Sequence, residues 1–146
     1  MANPSALLTL IELAVKDSDE AAKRLGEALR AAEDTEKKLT MLLGYRDEYA
    51  ARFQNNQANG ISAMEYRNFQ LFIDKLDTAI TGQETIVQNA RHRVDSERKS
   101  WQECERKRMS YDTLASRAET ARLHKENKRD QKQMDEYAAR SANFKR

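Results

Sequence analysis

The chain is poor in everything that breaks a helix or builds a compact globule. It has one proline and four glycines in 146 residues, and only 7% of its residues are aromatic. Cys104 is the only cysteine, so no internal disulfide can form and a reducing compartment fits. No apolar run approaches the roughly 20 residues of a membrane span. The stretch Leu7 to Val15 is the nearest thing to one. No basic residue precedes it, Glu12 interrupts it and no small-residue cleavage site follows, so it reads as helix and not as a signal peptide. Charged residues make up 34% of the chain, yet the net charge is only +2, which implies no particular partner. Low glycine and proline, high charge and a mean hydropathy of −0.93 point to long helices with a thin apolar seam.

Catalytic chemistry has no foothold either. His92 and His124 lie far apart, and no cluster of acids or thiols joins either into a metal set. Gly60 and Gly82 stand alone, so no glycine-rich phosphate loop exists. Cys104 falls on an apolar seam position and reads as a packed thiol. Basic runs at Arg91-His92-Arg93, Arg106-Lys107-Arg108 and Lys128-Arg129 are diluted by neighbouring acids and read as solvated helix faces, not as a nucleic-acid surface. No cofactor is expected.

One convincing break interrupts the helical pattern, at residues 54–65. Asn59-Gly60 is a turn pair, because both tolerate positive φ. Ser62-x-x-Glu65 is a capping box, with Ile61 and Tyr66 placed as a hydrophobic staple around it. One helix is therefore expected over about residues 4–57, starting at an Asn3 cap with Pro4 in its first turn. A turn over about 58–62 leads to a second helix over about 63–140.

Both helices carry apolar residues at alternating steps of three and four, the signature of a coiled coil. On the first they run Leu8, Ile11, Val15, Ala22, Leu25, Leu29, Ala32, Leu39, Leu43, Ala50 and Phe53, broken at Ser18, Glu36 and Arg46. On the second they run Phe69, Ile73, Leu76, Ile80, Val87, Ala90, Val94, Trp101, Cys104, Tyr111, Ala115 and Ala118, broken at Gln83, Glu97 and Arg108. A short turn between long helices favours an antiparallel hairpin, in which facing residues have numbers summing to about 120. Leu25 then meets Val94, Leu29 meets Ala90, Val15 meets Cys104, Trp101 falls between Ser18 and Ala22, and Glu36 falls near Gln83. The rival, a parallel homodimer, stacks Trp101 on Trp101 and Arg108 on Arg108, an awkward packing. The expected fold is all-α, a long antiparallel two-helix coiled-coil hairpin in a single domain, and a monomer.

At 1.5 Å per residue the first helix spans about 80 Å and the second about 115 Å, so the second outruns its partner near residue 116. The overhanging tail, residues 122–146, holds eight Lys/Arg against four Asp/Glu and has lost the seam. It is expected to be a frayed helix or disordered until it meets a partner.

A second stripe runs beside the seam near the turn. It consists of Leu42, Tyr45 and Tyr49 on the first helix and Phe72, Leu76 and Ala79 on the second. Periodicity leaves two readings open. The stripe is an exposed aromatic patch for a partner, or the seam drifts by one residue near Arg46 and takes these residues into the core.

Three stretches carry a resemblance to a known family. Tyr45-x-x-Glu48-Tyr49, Phe69-Gln70-x-Phe72-Ile73-x-x-Leu76-x-x-Ala79-Ile80, and Glu126-Asn127-x-x-Asp130-Gln131-Lys132-x-Met134-Asp135-Glu136 resemble flagellar FliJ of enterobacterial type. The resemblance spans nearly the whole chain and includes the central Asn-Gly turn. It implies a component of the flagellar type III export apparatus, shaped like the stalk of rotary ATPases. It also implies three partners: the export ATPase ring, the export-gate membrane protein FlhA, and substrate chaperones that the protein escorts. By the same resemblance Leu42, Tyr45, Tyr49, Phe72, Leu76 and Ala79 serve the gate as an exposed patch, with Lys38 and Gln83 as extensions. The paired helix ends would face the ATPase ring, and the basic tail beside them offers Arg122, Lys125, Lys128 and Arg129 as contacts. The implied place is the cytoplasmic face of the flagellar basal body, peripheral to the membrane through partners only.

Overall fold

The computed structural model describes residues 4–144. The Asn3 cap and the last two residues of the basic tail lie outside that range. Two helices account for the fold: α1, Pro4–Ala58, and α2, Ala63–Phe144. The turn is built as the sequence implies. Gly60 takes a φ of 85°, a conformation in which a Cβ is strained. The Gly60 and Asn59 amides donate to the Gln57 and Asn56 carbonyls, which α1 leaves without helical partners. The Ser62 hydroxyl accepts from the Glu65 amide at 3.1 Å, which caps α2.

The chain divides into two compact units. The larger, Asp19–Gln102, holds the turn and both helices beside it, packed as an antiparallel hairpin. On α2 its seam is the one read from sequence: Ile73, Ile80, Val87 and Val94 are buried, and Phe69, Leu76, Gln83, Ala90, Glu97 and Trp101 are half-buried. On α1 half of the seam differs. Leu25, Ala32, Leu39, Arg46 and Phe53 face α2 as expected. The alternate positions are Ala21, Ala28, Thr35, Leu42 and Tyr49, each one residue before the Ala22, Leu29, Glu36, Leu43 and Ala50 of the sequence reading. Ala28 is 1% exposed and Leu29 44%.

Both choices alternate threes and fours, so spacing cannot separate them. Volume favours the shift in the half away from the turn, where small residues of α1 face the bulkier α2 seam and let the helices close up; nearer the turn Leu42 and Tyr49 take the same positions. Ala28, Ala32 and Val94 form the buried cluster, with Leu25 and Ala90 against it. Leu29, Leu43 and Glu36 then fall on the flank. There Glu36 accepts from Arg91 at 2.9 Å, and Arg46, at the adjoining seam position, donates to Asp77 at 2.6 Å. Glu36 was expected near Gln83, and the Gln83 amide donates to the carbonyl of Thr35, the residue just before it, at 2.9 Å.

The smaller unit joins residues 4–18 of α1 to α2 from residue 103 onward. Its seam is thinner. Ala14 is buried, and Leu7, Ile11, Cys104, Tyr111 and Ala115 are half-buried. The same one-residue shift leaves Leu8 and Val15 exposed, and Ala118 is exposed too. Ser18, read as an interruption, is 3% exposed and pays for its burial with a hydrogen bond to Glu105 Oε1. Arg108 grips the same carboxylate at 2.8 Å and reaches Asp112 at 3.1 Å. The bonds from Arg108 and then Ser18 lower the Glu105 pKa to about 2. From residue 116 to 140 every residue is exposed, yet α2 continues without a break to Phe144. The tail is therefore helical through the expected end of α2 near residue 140 and a few residues beyond. Ion pairs from Arg122 to Glu119 and Glu126, one turn away on either side, support it.

Two measurements check this packing. Ala28→Leu should destabilise by about 1–3 kcal/mol through overpacking, and Leu29→Ala by less than about 1 kcal/mol, both read as thermal or denaturant midpoints. The reverse order would restore the unshifted seam. Glu105 has a lowered pKa, so its contribution is full above its ordinary value near 4.5 and is lost as pH falls through about 2. Acid titration followed by circular dichroism should show that loss, and Glu105→Gln should flatten it.

Candidate partner-binding surface

Near the turn the two seams are aromatic. Phe53 stacks on Phe69 with ring centroids 3.7 Å apart, and Phe69 is also stacked with Tyr49 at 5.3 Å. Tyr49 meets Phe72 at 4.3 Å with tilted rings, and Phe53 meets Tyr66 at 5.8 Å. Two of these contacts are near-parallel stacks and two are tilted, and such aromatic pairs add about 0.5–1.5 kcal/mol beyond the area they bury. Gln70 donates to the Tyr66 hydroxyl at 3.2 Å and steadies the end nearest the turn.

The six residues read from the sequence as one patch divide into two groups. Leu42, Tyr49 and Leu76 are half-buried on the seam. Tyr45 and Phe72 are 52% and 43% exposed, and Ala79 is exposed beside them. The seam shift accounts for the division: moving α1 by one residue takes Leu42 and Tyr49 inward and leaves Tyr45 on the flank. Of the two extensions, Lys38 is exposed, whereas Gln83 is tied into the seam through Thr35. The flanks of the hairpin also differ in chemistry. Arg46–Asp77 and Glu36–Arg91 make one of them ionic. The other carries Tyr45, Phe72 and Ala79. Met41, one turn before Tyr45, and Ile86, seven residues beyond Ala79, are 51% and 49% exposed and were missed in the sequence reading. The signal that could have found Ile86 is the seven-residue line Phe72, Ala79, Ile86, and for Met41 it is the four-residue step to Tyr45.

In the smaller unit, Arg122 is engaged by Glu119 and Glu126, and the Glu119 bond raises its pKa above the ordinary arginine value. Lys125, Lys128 and Arg129 are exposed on the tail helix. Among the described residues no group of His, Cys, Asp and Glu could hold a metal ion, and no helix is long and apolar enough to cross a membrane.

By fold the chain is in the class of all-α helical hairpins, with a stacked aromatic seam near the turn and apolar side chains exposed beside it. The comparisons narrow the class to a family. The Flagellar FliJ protein family profile matches residues 3–146. Relatives include the flagellar FliJ protein of Salmonella typhi, 39% identical over 142 residues, and that of Escherichia coli (strain K12), 38% identical over 142 residues. Each alignment covers 97% of this chain and 97% of the relative. The chain belongs to the flagellar FliJ family. It is a flagellum-biogenesis protein with a part in flagellar protein export, and not an enzyme.

The two groups of patch residues should separate in stability measurements. Tyr49→Ala removes a ring packed against two others and should cost about 2–3 kcal/mol. Tyr45→Ala should cost less than about 1 kcal/mol. Equal losses in chemical denaturation would mean that both side chains are core.

Proposed function

We propose that this protein is a stalk-like activator of the flagellar export ATPase ring that also contacts the export gate, FlhA, and escorts substrate chaperones. Its place of action in this reading is the cytoplasmic face of the flagellar basal body. The observation that carries the proposal is the exposed flank Tyr45, Phe72 and Ala79, backed by stacked rings, in a FliJ family member. A coiled coil serving only as a spacer needs its seams and has no use for large aromatics in water. Leu42, Tyr49 and Leu76 hold that flank in shape from beneath and contribute to gate binding indirectly.

A protein without catalytic groups alters an ATPase only by binding one of its states more tightly than another. The smaller unit sets residues 4–18 of α1 beside α2 from residue 103, and the charged tail helix follows. Occupying the central channel of a ring favours the assembled ring by linkage, and turnover rises with assembly. Arg122, Lys125, Lys128 and Arg129 are the tail contacts in this reading, the last three with free reach because they are exposed.

Purified export ATPase should show a higher rate and a larger ring mass when the protein is added. No rise would refute the mechanism. Changing Arg122, Lys125, Lys128 and Arg129 to Glu should reduce the rise, and an unchanged rise would remove the tail from the mechanism while leaving activation intact. Pull-down with the gate cytoplasmic domain tests the second contact separately.

A further inference from the structure

The turn between α1 and α2 sets a side-chain amide next to an open backbone nitrogen. Asn59 is the one asparagine in the chain with a glycine next in sequence. Among the described residues it is also the one asparagine outside both helices, since Asn55, Asn56, Asn68, Asn89, Asn127 and Asn143 all lie within α1 or α2. Helical backbone turns each of those carboxamides away from the nitrogen of the next residue, and a side chain on that next residue crowds the approach. Asn59 has a turn backbone and Gly60 has no side chain, so neither restraint holds at this pair. Both residues are exposed, Gly60 takes a φ of 85°, and a Cβ there would meet nothing within 4 Å. One brake remains. The Gly60 amide donates to the Gln57 carbonyl at 3.1 Å. That bond closes the end of α1 in contact with water, where helical bonds open most readily.

We propose that Asn59 is a site of spontaneous covalent modification: deamidation by closure of its side chain onto the Gly60 nitrogen. When the bond to Gln57 opens, the Gly60 nitrogen loses its proton to hydroxide and attacks Asn59 Cγ. The new N–Cγ bond closes a succinimide ring, the Cγ–Nδ2 bond breaks, and the amino group leaves with a proton as ammonia. Water then adds to one of the two ring carbonyls. Opening on one side leaves an aspartate at position 59. Opening on the other leaves an isoaspartate, in which the main chain runs through the former side-chain carbonyl and is longer by a methylene. Nothing is oxidised or reduced, and water is the only co-reactant. Either product puts a carboxylate, charged at neutral pH, where a neutral amide stood. The charge falls just beyond the C-terminus of α1, whose last turn has no basic residue, and the helix dipole disfavours an anion there. The isoaspartate also stretches the connection that the Gly60–Gln57 bond closes. Ammonia is lost for good, so the modified fraction records a molecule's age and how often its turn has opened.

The test is to age the full chain in neutral and in mildly alkaline buffer and to map it by tryptic digestion and fragmentation mass spectrometry, with an unaged sample as the baseline. Trypsin releases residues 53–67 as one peptide, which carries Asn55 and Asn56 of α1 beside Asn59, so the helical controls are read in the same spectrum. The acid form should accumulate at position 59 with ageing and rise in proportion to hydroxide concentration, while Asn55 and Asn56 stay amides. Part of it should be methylated by isoaspartyl methyltransferase, the mark of the succinimide route. Asn59→Gln should abolish the change, because the longer side chain closes the corresponding ring far more slowly. The same chain held unfolded in urea should react faster, by the factor that the Gly60–Gln57 bond supplies as protection. If the aged folded chain keeps its amide at position 59, the proposal is overturned, whether or not the unfolded chain reacts. Equal change at Asn55 or Asn56 overturns it by removing the selectivity of the turn. Acid at position 59 with no isoaspartate overturns it too, because hydrolysis then proceeds without Gly60.

Discussion

The structure depends on the register of one narrow seam. Away from the turn that seam sets Ala21, Ala28 and Ala32 of α1 against bulkier residues of α2, and nearer the turn Leu42 and Tyr49 hold the same positions. Dispersion between close-packed groups falls off steeply with distance, so a small residue facing a large one brings the backbones nearer. Everything else on α1 follows from that register. It puts Leu29 and Leu43 on one flank and Tyr45 on the other. It also brings Arg46 and Glu36 within reach of Asp77 and Arg91.

Most of the architecture was legible in the residues because it rests on local chemistry. Asn59, Gly60, Ser62 and Glu65 set the turn, and the α2 seam could be read position by position down to Ala115. The α1 seam could be read only in part. Leu25, Ala32 and Leu39 belong to both possible registers, while Ala28 or Leu29 could satisfy the same alternation. Choosing the larger residue is reasonable for a helix alone. It fails when the partner already fills the space, and that information sits about 60 residues away along the chain. In the tail, without a seam, helicity rests on charge pairs such as Arg122 with Glu119 and Glu126, which apolar periodicity does not register.

The candidate surface shows the same limit. Sequence placed Leu42, Tyr45, Tyr49, Phe72, Leu76 and Ala79 in one patch near the turn, and among them the rings of Tyr49 and Phe72 meet. It could not say which of them face water. Exposure turns on a rotation of roughly one residue, about 100° of helix. Side chains that carry a surface and side chains that form one are both intolerant of change, for different physical reasons. Tyr49 belongs to the first kind and Tyr45 to the second.

The turn at Gly60 has a kinetic consequence. Cross-hairpin bonds close progressively longer stretches of chain: 31 residues for Arg46–Asp77, 48 for Thr35–Gln83, 73 for Arg24–Glu97 and 87 for Ser18–Glu105. Closing a long loop at once costs more entropy than closing it after its inner layers have formed. Loop entropy alone therefore favours closing the aromatic layers beside the turn before the outer ones, and the layer at Ser18 closes the longest loop of the four.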